Sequence, residues 1–351
     1  MDQAKTATWG EALAELRQWT QDRDDVSVTP QMLSVAAPAR EEFYGRVEAI
    51  QGQIADAVLD DGDAAAMERL AGALAAVCGD ISRAADLARV ALPGRLEAFA
   101  ADPSKALAAP LQSVVTDALS GRVPLSEVDG QARQCVRGAA EALARGAYEA
   151  WAYLGVVASL NPVRLWAVGC EDGQTACIAP TDVLTMGAQV PSRERRFPEA
   201  VVQCADGRVF ALKCEAAREI DYYDALAPIA RDTSAGGNTA GMLGHRVLLL
   251  YQLDAPEKVQ ATVDRKQRLQ RFADLAVEVL APAEMENPAY LGAFIARLRT
   301  LRTRRPLTVV TYDEAARFPQ AMEADGEVPP VERCAVGLRR EGLAAIAEKL
   351  R

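Results

Sequence analysis

An all-α part followed by an α/β part with a mixed β-sheet is the fold this sequence predicts, and three observations predict it. Apolar residues recur at helical spacing from residue 8 to about residue 160. From Val163 the period drops to two, around two Asp-Gly turns. Beyond Glu219, strand-like and helix-like segments alternate to the end of the chain. The boundary is placed at Asn161-Pro162, because the residue before proline avoids the α region. Residues 1–160 then form a helical bundle and 161–351 an α/β domain.

The bundle reads as a series of apolar stripes. Trp9, Leu13, Leu16 and Trp19 make the first, with Thr8 and Glu11 spaced as a capping box. Phe43, Val47, Ile50, Ile54 and Val58 make the second, and Met67, Leu70, Leu74, Val77 and Ile81 the third. The link "LDDGDAA" between them is short enough to predict antiparallel packing. A short helix is expected around 105–120 and a long one over 128–160. The long helix buries Val136, Ala140, Leu143, Ala147, Trp151 and Leu154, while Arg133, Arg137, Glu141, Arg145 and Glu149 form a charged row on another face.

In the second part, "VRLWAVGCEDGQTACIAP" and "AVVQCADGRVFALKC" each read as strand, Asp-Gly turn, strand. They are followed by strand "HRVLLLYQL", a helix over 255–274, strand "VEVLAP", a helix over 288–302, strand "LTVVTYD", a short helix from Glu314, strand "RCAVGL" and a closing helix. The runs "VLLL" and "LTVV" suit strands buried on both faces of a parallel sheet. Two antiparallel hairpins plus βαβα units give a mixed sheet.

Charge divides the chain as the periodicity does. Residues 1–155 carry 14 Lys+Arg against 23 Asp+Glu, and the remainder carries 25 against 26. An acidic, Ala-rich bundle is expected to dock a protein partner or to self-associate. The pI near 4.9 excludes a surface that grips nucleic acid all over, but not a local basic patch. The longest uncharged run, Ala150–Val163, has 14 residues, against about 20 for a membrane span. Seven scattered cysteines and a charged N-terminus complete the expectation of a soluble, reduced, cytoplasmic protein without membrane contact.

Arg195 and Arg196 in one loop, and Arg297, Arg299, Arg302, Arg304 and Arg305 at a helix end, suit bidentate contact with phosphate or an acidic partner. Arg265, Lys266, Arg268 and Arg271 make another basic cluster. His245 is the single histidine and is expected to be structural, and the Gly-rich run 232–246 has neither phosphate-loop spacing. The cysteine spacings (Cys170 to Cys177, Cys204 to Cys214) lack zinc-knuckle form; if the hairpins pack, Cys170 and Cys204 would approach one another. Neither a metal site nor a resident cofactor is assigned.

Residues 197–215, "FPEAVVQCADGRVFALKCE", supply the weak catalytic candidates Glu199, Lys213 and Glu215. An acid on one strand with an acid and a lysine two apart on the next resembles the core of restriction-endonuclease-like nucleases. The resemblance implies a site in which acids hold Mg²⁺ and the lysine supports attack on a phosphodiester. The order here is Lys213-Cys214-Glu215, the reverse of that family's acid-x-lysine, and Pro198-Glu199 stands where Pro-Asp is usual. With Asp206-Gly207 as a two-residue turn, Glu199 faces Cys214, while Lys213 and Glu215 point to the opposite face. The sequence therefore favours a non-enzymatic interaction or scaffold protein, with a metal-dependent nuclease-like enzyme as the alternative.

Overall fold

The computed structural model describes residues 3–170, 175–185, 197–216, 246–262, 272–281, 294–295, 298, 303–313 and 330–350. In chain order, the helical part runs α1 (Gln3–Gln21), β1 (Val26–Val28), β2 (Leu33–Val35), α2 (Arg40–Val58), α3 (Asp61–Ala84), β3 (Arg89–Ala91), α4 (Gly94–Ala101), α5 (Pro103–Ala108), α6 (Leu111–Leu119) and α7 (Leu125–Ser159). The α/β part adds β4 (Pro162–Cys170), β5 (Ala176–Pro180), β6 (Val183–Thr185), β7 (Ala200–Cys204), β8 (Val209–Ala216), β9 (Arg246–Leu253), β10 (Leu275–Val279), β11 (Leu307–Thr311), β12 (Val331–Ala335) and α8 (Arg340–Glu348). The fold is a helical part followed by a mixed sheet, as the periodicities require. No helix among the described residues is long and apolar enough to cross a membrane.

The chain divides into two compact units. The first comprises Met1–Gly72 and Arg95–Ala144; the second comprises Ala73–Gly94 and Arg145–Arg351. In the first unit, Trp9, Leu13 and Leu16 of α1 bury against Phe43, Val47, Ile50 and Ile54 of α2, with Leu111 and Val115 of α6 and Val128 and Val136 of α7. Local chemistry differs from expectation at α1, which already starts at Gln3, so Thr8 lies inside the helix instead of capping it. The expected helix over 105–120 is two, because Pro110 breaks it; Asp102 caps the first through its carboxylate on the Lys105 N–H at 2.9 Å. The charged row on α7 is only partly solvated: Arg137 and Glu141 are exposed, whereas Glu149, in the second unit, is 8% exposed.

The second unit is built on an eight-stranded sheet in the order β12-β11-β10-β9-β8-β7-β4-β5. β10, β11 and β12 are parallel, and all other neighbours in this sheet are antiparallel. The inner strands β10 and β11 are buried at every position, which matches their largely apolar spelling, broken by Glu278 in β10 and by Thr308 and Thr311 in β11. Val201, Val209, Ala211, Leu249, Tyr251 and Ala276 share one buried cluster with Val259, Phe294 and Leu298. The expected helix over 255–274 begins as a tighter 3-10 segment at Pro256–Thr262, and Ala273 instead bridges Thr303. On α7, the Tyr148 hydroxyl donates to the Thr311 carbonyl at 3.2 Å, and its ring stacks on Trp151.

The second hairpin departs from the expected register by one residue. Ala200 pairs with Leu212 and Val202 with Phe210, so the turn holds three residues, Ala205-Asp206-Gly207. Gly207 has φ +86° and donates to the Cys204 carbonyl at 2.9 Å; a three-residue loop ends in this left-handed position, which glycine takes without strain. The Ala205 N–H donates to the Asn161 carbonyl at 2.9 Å and Arg208 pairs with Asp206 at 2.6 Å, both fixing the loop. Gly207→Ala is expected to cost about 1–2 kcal/mol and Gly207→Asn less, read by urea unfolding. An equal cost for the two would rule out the left-handed requirement.

Cys170 and Cys204 do not approach. Cys204 pairs with Pro162 at the opposite end of β4 from Cys170. All seven cysteines are free thiols, and burial pushes the Cys204 thiol up to about 11, with Asp206 adding to the effect.

Asp80 on α3 accepts hydrogen bonds from Arg83 and from Arg340 of α8, which holds its carboxyl below the usual range, Arg340 having the larger effect. The folded value is thus below that of the unfolded chain, near about 4. The contribution is complete above that unfolded value and is lost as pH falls through the folded one. Asp80→Asn is expected to flatten the acid limb of a stability–pH curve; an unchanged limb would show that the pair contributes nothing.

Candidate functional site

The sequence candidates fall out unevenly. Glu199 precedes the first β7 pair, and its N–H donates to the Leu212 carbonyl at 2.8 Å. The ladder therefore places Glu199 at the Leu212–Lys213 step of β8, not opposite Cys214 as the two-residue turn predicted. Glu199 is half-buried, with its Oε2 atom inside the protein. Lys213 is 1% exposed, on the same face of β8 as Val209 and Ala211. Glu215 holds the register position opposite Val247; its side chain lies outside the described residues.

One more strand contributes to that face. Glu278 of β10 is 1% exposed and, by alternation, points with Ala276 and Leu280 into the cluster that also receives Lys213. Lys213 lies in the cross-strand row Lys213–Leu249–Ala276, and Glu278 two residues further along, in the next row on that face, Glu215–Val247–Glu278. The two strands are separated by β9, so their backbones stand about 10 Å apart. The ends of a lysine and a glutamate have thus been taken out of water, at an effective cost of several kcal/mol for each that keeps its charge.

The polar set extends to α7. The Tyr153 hydroxyl is pushed well above its ordinary range, first by burial, then by Glu149, Glu278 and Cys214, against a backbone hydrogen bond with Val279. Glu149, Glu278 and Cys214 therefore each act electrostatically on Tyr153, near the point where β10 ends at Val279. Carboxyl ends of strands are where open α/β sheets hold their ligands. A hydroxyl influenced by two acids and a thiol in a low-dielectric setting can relay a proton or stabilise a charged group, while Lys213 points to the opposite face of β8 from Cys214. Among the described residues, no three His, Cys, Asp or Glu side chains are grouped to hold a metal ion.

The arginines are only partly visible. The Arg304 N–H donates to the Ala273 carbonyl at 2.8 Å, and its guanidinium lies 3.3 Å from Asp274, whose other oxygen accepts the Gln252 N–H at 2.7 Å. Arg304 thus helps pin two strand ends, and Arg305 is exposed. Arg195, Arg196, Arg297, Arg299 and Arg302 lie outside the described residues, as do Arg265, Lys266, Arg268, Arg271 and His245. Most of the Gly-rich run lies outside them too.

Sequence reasoning missed Glu278, Glu149 and Tyr153. The signal for Glu278 was present: an isolated acid inside "LAVEVL", a strand otherwise apolar at every position. Glu149 was hidden in a charged row whose middle is solvated, and nothing in the local sequence distinguishes Tyr153. What fold and site define is a mixed α/β protein with an acidic helical unit and a buried polar cluster at strand ends. No protein family, no curated protein and no solved structure matches the chain.

Proposed function

We propose that the protein is an interaction or scaffold protein of the cytoplasm. Its acidic helical unit docks a protein partner or a second copy of itself. Its α/β unit contacts nucleic acid through Arg195, Arg196, Arg297, Arg299, Arg302, Arg304 and Arg305. The observation that carries this reading is the segregation of charge: the first unit holds 11 Lys+Arg against 20 Asp+Glu, and the second 28 against 29. Seven free thiols support a reducing compartment. The test is fluorescence anisotropy of the full chain with labelled single- and double-stranded DNA and RNA at two salt concentrations. Salt-sensitive binding, lost when Arg297, Arg299, Arg302, Arg304 and Arg305 are neutralised, is the expected result. No binding at low salt would remove the nucleic-acid half of the reading.

A second reading has its own observation in favour. The three-residue turn removes the register that set Glu199 opposite Cys214, and Glu278 adds an acid to the Lys213 face. Both support a phosphodiester-cleaving enzyme of the nuclease-like kind, in which carboxylates would hold Mg²⁺ and the metal would activate water. Gel assays with Mg²⁺ or Mn²⁺ decide it. Cleavage abolished by Glu199→Ala and Glu278→Gln in variants that circular dichroism shows to be folded would establish the enzyme, and absence of cleavage with either metal would leave the interaction reading alone.

A further inference from the structure

The helical unit carries an aromatic and arginine patch at the rim of its core, where Phe43 is buried, Trp19 is partly buried and Tyr44 is exposed. Trp19, near the end of α1, is half-buried, with the Arg23 guanidinium 4.8 Å and the Arg46 guanidinium 5.4 Å from its ring centre. Asp25 grips Arg23 with both oxygens, at 2.7 and 2.9 Å. Glu42 reaches Arg23 at 3.5 Å and holds Arg46 at 2.9 Å. Phe43 links the rings: its centroid is 6.2 Å from that of Trp19 and 5.2 Å from that of Tyr44, which is 40% exposed.

Trp, Tyr and Arg are the side chains that dominate binding energy at interfaces. Here ion pairs and cation–π contacts fix them in advance, so little rotamer entropy remains to be lost when a partner arrives. The charge around them selects the partner's sign. Segments 19–25 and 40–46 set Asp22, Asp24, Asp25, Glu41 and Glu42 against three arginines, inside a unit with nearly twice as many acids as bases.

We propose that the Trp19–Tyr44 patch is the docking point for a basic amphipathic segment of a protein partner. Apolar side chains of the segment lie on Trp19 and Tyr44, and its Lys and Arg side chains face Glu41, Glu42 and the acids of 22–25. This rests on the docking role given to the helical unit above, and it names the partner's chemistry.

The experiment titrates the full chain into a fluorescein-labelled Leu/Lys amphipathic peptide and into a Leu/Glu peptide of the same pattern, at low and physiological salt. The Leu/Lys peptide is expected to bind and the Leu/Glu peptide not to. Tyr44→Ser and Trp19→Leu should each weaken binding by about tenfold or more. Leu125→Ser, at an exposed apolar position on α7, should leave it unchanged. Circular dichroism confirms folding, and Tyr44→Ser, being at the surface, keeps the test open if Trp19→Leu unfolds. Binding that is indifferent to both patch substitutions would overturn the patch and leave the docking role standing. Absence of Leu/Lys binding even at low salt would overturn both.

Discussion

Lys213→Met is expected to destabilise the α/β unit by roughly 3–5 kcal/mol, and Glu278→Leu by a comparable amount. Both side chains sit at 1% exposure on a sheet face shared with Val209, Ala211, Ala276 and Leu280, so removing either leaves the polar groups it contacts buried in an apolar layer. The double substitution should be less damaging than the sum by at least about 1 kcal/mol, because the two residues share a sheet face and stand one row apart. Native-state hydrogen exchange of the β8, β9 and β10 amides reads this locally and is insensitive to the helical unit. Strict additivity would show that the two charges belong to separate networks, and single substitutions without effect would show that neither is held in its buried form.

Gly155→Val is the second large effect. A Cβ at Gly155 would overlap Leu343 Cδ1, and Leu343 is completely buried on α8. Glycine here permits close approach of α7 and α8. Its backbone is helical, so no left-handed conformation is involved. Overpacking at such a contact typically costs about 1–3 kcal/mol. Leu343→Ala alone should cost about 2–5 kcal/mol through the cavity it leaves. Gly155→Ala combined with Leu343→Ala should be better than Leu343→Ala alone, since the added methyl enters that space. Thermal unfolding of the three variants decides it; a pair no better than Leu343→Ala would mean the helices separate instead of repacking.

What the sequence made legible follows from which forces are local. The helical stripes of α1, α2 and α7 and the strands β9 and β11 were readable because burial imposes a period of 3.6 or 2, and the predicted stripe positions are buried except Trp19 and Val58 at the stripe ends, which are partly buried. The hairpin register was not readable, because Asp-Gly serves a two-residue and a three-residue turn equally. The choice is made by contacts from elsewhere, such as the Asn161 carbonyl on the Ala205 N–H. The polar cluster was half legible. Lys213 stood out by type but its burial did not, and Tyr153 is influenced by Glu149, Cys214 and Glu278, which come mostly from segments far apart in the chain that no spacing rule connects. The interruption at Pro110 was visible in principle and was overridden by the apolar run around it.

The turn at Ala205-Asp206-Gly207 sets an unusual limit on length variation. Surface loops ordinarily accept the loss or gain of a residue at little cost, since their ends are far from the core. Here one residue fewer would convert the hairpin to the two-residue form, and every side chain of β7 would change sides: Val201, now in one buried layer, would trade places with Ala200 and Val202. Changes of two residues preserve which side each side chain occupies; changes of one do not. In a set of shortened and lengthened versions of this loop, folded protein should therefore be recovered at even steps and lost at odd ones. The tip of this hairpin behaves as a parity constraint on the domain, although it is among the most solvent-exposed stretches of the sheet.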